Sequence, residues 1–135
     1  MKRSAGIFLH PTSLPSPFGI GDMGGAAYQW LTTLKNCSQS YWQVCPLGPT
    51  GYGDSPYQCL SSFAGNTSLL SPVKLMEDGL ISRAEISSFP VLPEERVDFQ
   101  AVEREKEALF RTAYDRFNDS DEFAAFCEKE NYWLD

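Results

Sequence analysis

Residues 42–66 read WQVCPLGPTGYGDSPYQCLSSFAGN, and the reading of this stretch decides how the rest of the chain is organised. It opens as a strand. Trp42, Val44 and Leu47 mix aromatic and branched side chains of the kind that suit a buried strand, and Pro46, with no N–H to give a ladder, points to its end. Gly48-Pro49 and Thr50-Gly51 then mark turns. Gly48, Gly51, Gly53 and Gly65 let the backbone approach a ligand closely, while Pro49 and Pro56 remove conformational freedom, so the loop is long but stiff. It displays Tyr52, Tyr57 and Phe63 beside Asp54, Ser55, Gln58 and Asn66. Flat aromatic faces next to short hydrogen-bonding groups suit a polyhydroxylated ring such as a sugar, whose C–H face packs on the aromatic while its hydroxyls meet the polar groups. The same composition also suits a structural loop whose tyrosines pack on their own scaffold, and both readings stay open at this point.

Upstream, Gly6–Leu9 (GIFL) is an apolar run followed by HPTSLPSPFGIGD, a strand and then a second proline-stiffened loop. A run too apolar to alternate predicts a strand covered on both faces, as in a parallel sheet. Asp22–Gly25 offers turn and cap chemistry, and Ala27, Trp30, Leu31 and Leu34 fall on one face of a helix that runs to about Lys35. The order strand, loop, helix, strand is a unit that builds parallel sheets. Downstream, Leu69–Met76 reads as a strand or turn ending at Pro72 and then a short helix before Gly79. Ser82-x-x-Glu85 is a capping box, with Ile81 and Ile86 placed as a hydrophobic staple. Pro90 and Pro93 bracket an extended link. A long helix starts at Asp98 and runs to about Phe117. Phe99, Val102, Leu109, Phe110, Ala113 and Phe117 form its apolar stripe, and Glu103, Glu105, Lys106 and Arg111 are read as facing water. Asp119 or Ser120 caps a last helix with Phe123, Phe126 and Cys127 on one face.

The chain has 135 residues, 42 % hydrophobic and 13 % aromatic, enough for about one domain with a core. A net charge of −7 without a basic stripe argues against nucleic acid or an anionic membrane surface as a partner. Cys37, Cys45, Cys59 and Cys127 form no CxxC pair and the chain has one histidine, so no metal site is expected; Cys45, placed in the strand, and Cys127 read as small core hydrophobes. The cytoplasm is the expected compartment, with neither a signal peptide nor a spanning segment read from the sequence. A glycoside-cleaving site needs two carboxylates across one bond. In the Gly/Pro-rich half the acids are Asp22 and Asp54. Asp54 could be an acid, a sugar ligand, or a turn residue satisfying its own backbone. His10, just past a strand end, is equally open between a functional group and a local hydrogen-bonding residue. No serine triad, phosphate loop or dinucleotide fingerprint is present, and no cofactor is implied.

AGIFLHPTSLPSPFGIGDMG (5–24) and YWQVCPLGPTGYGDSPYQCLSSFAGN (41–66), with RVDFQAV (96–102) and ENYWLD (130–135), closely resemble the N-terminal part of the 4-alpha-glucanotransferases, also called amylomaltases or disproportionating enzymes. The resemblance covers almost the whole chain and rests on long motifs with fixed spacing. It implies an α/β fold: the N-terminal part of a (β/α)8 barrel of the TIM type with an inserted helical subdomain. Residues 1–70 would be the first two strand–helix elements with the glucan-binding loops, Gly6–Leu9 being the first strand and Trp42–Leu47 the second. Residues 71–135 would start the inserted helices. The implied activity is transfer of α-1,4-glucan segments between maltooligosaccharides by a retaining double displacement. The family's catalytic carboxylates fall on later strands, so no catalytic residue is expected in this chain. The resemblance implies Ser55 and Tyr57 as donor-side sugar contacts, Tyr52 in a second glucan-binding surface, and Asp54 as a further contact. The chain stops within an aromatic cluster at Trp133-Leu134-Asp135, and two parallel strands cannot cover themselves. It is therefore expected to be a front part, cut short, of an enzyme. The alternatives are a free-standing glucan-binding module and one half of a split enzyme. Oligomeric state is not legible.

Overall fold

The computed structural model describes residues 3–93 and 95–134. Strand β1 (Gly6–Phe8) pairs in parallel with β2 (Tyr41–Gln43), Ile7 opposite Trp42, and helix α1 (Gly25–Asn36) connects them. The Trp42 indole donates to Leu9 O at 2.7 Å, and Leu9 N donates to Gln43 O at 3.0 Å, which ties the strand ends together. After β2 come the long loop, a 3-10 turn at Thr67–Leu69, and then helices α2 (Pro72–Glu77), α3 (Arg83–Ser87), α4 (Phe99–Arg116) and α5 (Asp121–Glu130).

The caps form as their chemistry dictates. Ser82 Oγ accepts from Glu85 N while the Glu85 carboxylate accepts from Ser82 N, both halves of a capping box. Asp98 caps α4 through Ala101 N, and Ser120 caps α5 through Phe123 N. The start of α1 falls within the turn and cap segment Asp22–Gly25: Gly24 is the N-cap, without a side-chain cap, and Asp22 Oδ1 accepts from Gly24 N at 2.8 Å.

The core does not sit at the sheet. It lies where the proline-rich loop 11–22, the segment 69–72, and helices α2, α3 and α4 meet: Leu14, Phe18, Ile20, Leu69, Ile81, Val102, Leu109 and Ala113 are all buried. Ile81, Leu109 and Ala113 gather Leu75, Met76, Leu80, Ile86 and Phe89 around them. Phe18 meets Phe89 edge-on with centroids 5.2 Å apart. Burying each such side chain contributes about 1.5–3 kcal/mol.

Five expectations need correcting. β1 is not covered on both faces: Ile7 and Phe8 are 39 % and 57 % exposed, since the described residues add no further strand to the sheet. β2 ends at Gln43 rather than Leu47, because β1 offers it three partners and then turns away at His10-Pro11; Cys45 therefore lies in the loop, half-buried. Leu31 of α1 is exposed for the same want of further strands. Cys127 is half-buried on α5, whose faces pack loosely, so it is no core residue. Lys106, read as facing water, is the most deeply buried large side chain of α4, only 1 % exposed. The aromatic C-terminal cluster packs on the long loop. Trp133 stacks on Phe63 of the long loop (centroids 6.0 Å, planes 20° apart), and Tyr132 meets the same ring edge-on at 5.4 Å.

Candidate functional site

Both long loops leave the C-terminal ends of the parallel strands, and so emerge on one side of the sheet. The second loop is closed at its base by Asn66 N donating to Leu47 O at 2.8 Å. Further up, Leu60 N donates to Pro49 O and Gly51 N to Gln58 O, around an antiparallel bridge between Thr50 and Cys59. The tip, residues 52–58, begins with a tight turn in which Gly53 and Asp54 both take positive φ, +73° and +53°. A side chain at 53 would be strained there, and Asp is among the few residues that tolerate the second position. Backbone hydrogen bonds inside the loop, not burial, define this shape.

On this frame the two tip tyrosines stand out in solvent, Tyr52 95 % and Tyr57 75 % exposed. They do not pack on their own scaffold. Ser55 is half-buried, and its Oγ accepts from Tyr57 N at 3.4 Å, which ties the two residues together. The Tyr57 hydroxyl lies 3.7 Å from the Cys45 thiol, and that hydrogen bond holds the phenol above its ordinary pKa. Asp54 is exposed at one edge but also lines a cavity of about 150 Å³ with His10, Cys45, Thr50 and Asn66. His10 makes a local hydrogen bond through Nδ1 to Thr12 Oγ1 at 2.8 Å, while its Nε2 is buried without a partner among the described residues. The structure therefore brings Asp54 and His10 to one cavity and links Tyr57 to its wall through Cys45. Tyr52 projects apart from it.

Sequence reading missed the polar node beneath the site. Lys106 Nζ donates to Ser68 O at 2.7 Å and Leu70 O at 3.1 Å, and lies 3.9 Å from Asp22 Oδ2. Burial pushes the ammonium down to about 8, with the Asp22 charge opposing. Burial likewise raises the Asp22 carboxyl, against the pull of Lys106 and of its bond from Gly24 N. Desolvation outweighs attraction for both partners, as expected of a buried pair separated by more than a hydrogen bond. Gly24 is required here, since any side chain would run into Ser71 Oγ and Asp22 Oδ1. A signal was available: Lys106 falls at i+4 from Val102 and three before Leu109, inside the buried stripe.

No group of three or more metal-ligating side chains gathers among the described residues. The site offers aromatic faces, hydroxyls, one carboxylate and one imidazole, groups able to stack on an apolar ring face and to exchange hydrogen bonds with hydroxyls.

A family model for 4-alpha-glucanotransferases matches residues 9–135. The chain belongs to the 4-alpha-glucanotransferase family. It is 42 % identical to a 4-alpha-glucanotransferase of Synechocystis over 98 % of its own length and 28 % of that protein's. It is also 42 % identical to one of Thermus thermophilus, over 100 % of its own length and 27 % of the relative's. The amylomaltase of Streptococcus agalactiae, solved in complex with acarbose, superimposes with a TM-score of 0.88 at 33 % identity, covering 97 % of this chain and 28 % of that one. The 4-alpha-glucanotransferase likeness is thus complete for this chain, which spans little more than a quarter of the relatives' length.

Proposed function

We propose that this chain is the glucan-binding front part of a 4-alpha-glucanotransferase that moves α-1,4-glucan segments between maltooligosaccharides by a retaining double displacement. On this reading residues 1–70 form the first two strand–helix units of a (β/α)8 barrel, and residues 71–135 begin an inserted helical subdomain. The parallel pairing of β1 and β2 with α1 between them supports it. So does the placing of both loops at the strands' C-terminal ends, where barrels of this class build their sites. The observation that carries the proposal is the pair of exposed tyrosines on a loop braced by its own backbone. Tyr57 and Ser55 would hold sugar near the scissile bond, Asp54 would add a hydrogen bond, and Tyr52 would serve a second glucan surface. The carboxylates that break and re-form the glycosidic bond belong, on this reading, to the part of the relatives that this chain does not match.

The test is a chimaera in which residues 1–135 replace the matching segment of the Streptococcus agalactiae amylomaltase. It should disproportionate maltotriose. Tyr57→Ala should lower kcat/KM by about ten- to a hundred-fold, the loss of an aromatic platform and one hydrogen bond worth about 1–3 kcal/mol. Tyr57→Phe should cost less. A folded chimaera without transfer, or one indifferent to Tyr57→Ala, would defeat the proposal. The 135-residue chain alone should release no glucose from maltotriose; release that Asp54→Asn abolishes would restore Asp54 as a catalytic acid. A second reading, a binding module without catalysis, is favoured by the cluster that Ile81, Leu109 and Ala113 build without the sheet. Cooperative melting of the monomeric chain, with maltooligosaccharide affinity intact, would support it.

A further inference from the structure

The tip of the tyrosine loop is braced by its own hydrogen bonds, but its exit is held from a distant point of the chain. Asn66 closes the loop and at once opens the next turn: its N–H donates to Leu47 O, and its Oδ1 accepts from Ser68 N at 2.9 Å. The three carbonyls that follow are each taken by a partner from elsewhere. Ser68 O and Leu70 O accept from Lys106 Nζ, and Leu69 O accepts from Met23 N at 2.9 Å. Lys106 reaches this strap from the middle of α4, flanked by the rings of Phe18 and Phe110 at 6.0 and 5.9 Å. Placing an ammonium here carries a desolvation cost that an apolar side chain in the same stripe would avoid. What the ammonium supplies, and a leucine or methionine could not, is a donor for two inward-facing carbonyls that would otherwise be unsatisfied.

We propose that Lys106 is a positioning residue for the glucan-binding loop: by clamping Ser68 O and Leu70 O it fixes the base from which residues 47–66 project. The idea rests on the reading of that loop as glucan-binding. Asp22 has a different part. It sits too far from Nζ for a hydrogen bond and balances its charge, while its own hydrogen bonds go to Gly24 N and to the Ser71 and Ser16 side chains rather than to the clamped carbonyls.

The two parts can be separated in the chimaera described above by comparing Lys106→Met, Asp22→Asn and the double variant, with melting temperature, kinetics on maltotriose and amide hydrogen exchange as readouts. The double variant leaves no charge unpaired and should recover most of the melting temperature that Lys106→Met loses. It should nevertheless keep a loosened loop, with the amides of Gly51, Leu60 and Asn66 exchanging at least about tenfold faster and KM for maltotriose raised about tenfold, while kcat stays within about twofold. Asp22→Asn retains the clamp and should leave loop exchange and KM unchanged even if it melts earlier. A double variant with ordinary loop exchange and KM overturns the proposal. So does Asp22→Asn raising KM as much as Lys106→Met, since charge balance and not the clamp would then be at work. If Lys106→Met fails to fold, the double variant and Asp22→Asn carry the comparison. An unsubstituted chimaera that cannot use maltotriose would refute the glucan reading, and the exchange data would still decide the clamp.

Discussion

The loop tip at residues 52–58 and the node at Asp22 and Lys106 are opposites built within one small chain. The tip holds two tyrosines in open solvent and is kept in shape by hydrogen bonds that begin and end inside the loop. The node is buried, and its contacts join three segments remote in sequence: the residues just before α1, the strap after the loop, and the middle of α4. Display and anchoring thus use different physics. A surface meant to meet a hydroxylated ring keeps its aromatic faces bare and gains stiffness from glycine, proline and local hydrogen bonds. An anchor must satisfy every polar group it buries, and becomes fragile wherever one partner is removed.

The largest effect should follow from breaking the node from one side. Lys106→Met leaves a buried carboxylate without its counter-charge and two carbonyls without a donor and should cost about 3–5 kcal/mol, enough to unfold a chain with so small a core. Urea denaturation of the single and double variants measures it. A loss under about 1 kcal/mol for Lys106→Met would mean that water reaches the node and that the contrast with the tip is false.

Next in size is a comparison of helical core and sheet. Ile81, buried against Leu109 and Ala113, should cost about 2–5 kcal/mol on truncation to alanine. Ile7, 39 % exposed on β1, should cost well under half as much. Equal losses would show that the sheet is covered in solution, by association or by further chain.

The helical half was legible because its signals are local. Ser82 and Glu85, Asp98 and Ala101, Ser120 and Phe123 each meet across three residues, within the reach of a pattern. The exposure of Tyr52 and Tyr57 on their loop was legible for the same reason. Lys106 was not, because its residue type was allowed to overrule its position in the stripe, and its carbonyl partners lie 38 and 36 residues away. The stacking of Trp133 on Phe63 escaped likewise, as no periodicity links a loop to a terminus. The sequence shows where the strands lie but not their length or exposure, since strand length is set by the partner and burial by layers that no short run of sequence describes.

A milder lock lies on the surface. Arg116 at the end of α4 donates through Nη1 and Nη2 to the two carboxylate oxygens of Glu85, at 2.8 and 2.7 Å, and the same carboxylate serves the capping box. The Arg116 bonds, followed by those from Ser82, hold Glu85 down at about 2. A lowered carboxyl pKa makes its stabilisation complete above the ordinary value of 4.5 and lost as pH falls from there towards 2. Thermal melts should therefore fall over that window, and Arg116→Gln should flatten part of the fall while leaving neutral-pH kinetics on maltotriose alone. An unchanged acid limb in Arg116→Gln would place the acid sensitivity in other carboxyls.

The smallest effect on short substrates should come from the most exposed residue of all. Tyr52 and Tyr57 share a loop, a ring and an exposed setting, yet their neighbourhoods differ. Tyr57 is tied through Ser55 Oγ at its amide and through Cys45 at its hydroxyl to the side of the loop that borders the His10 and Asp54 cavity. Tyr52 opens the tight turn at Gly53 and makes no side-chain hydrogen bond among the described residues. A ring so free can add contact area only to a ligand long enough to reach it. Tyr52→Ala in the chimaera should then leave kcat/KM on maltotriose within about twofold, because a short chain held near Tyr57 gains nothing from it. On long amylose the same variant should shift the distribution of linear and cyclic product lengths, read by chromatography, since a longer chain loses a stacking platform worth about 0.5–1.5 kcal/mol. If Tyr52→Ala and Tyr57→Ala depress maltotriose turnover alike, the two rings serve one surface. If neither changes anything, the loop is scaffold and its bare tyrosines need another explanation.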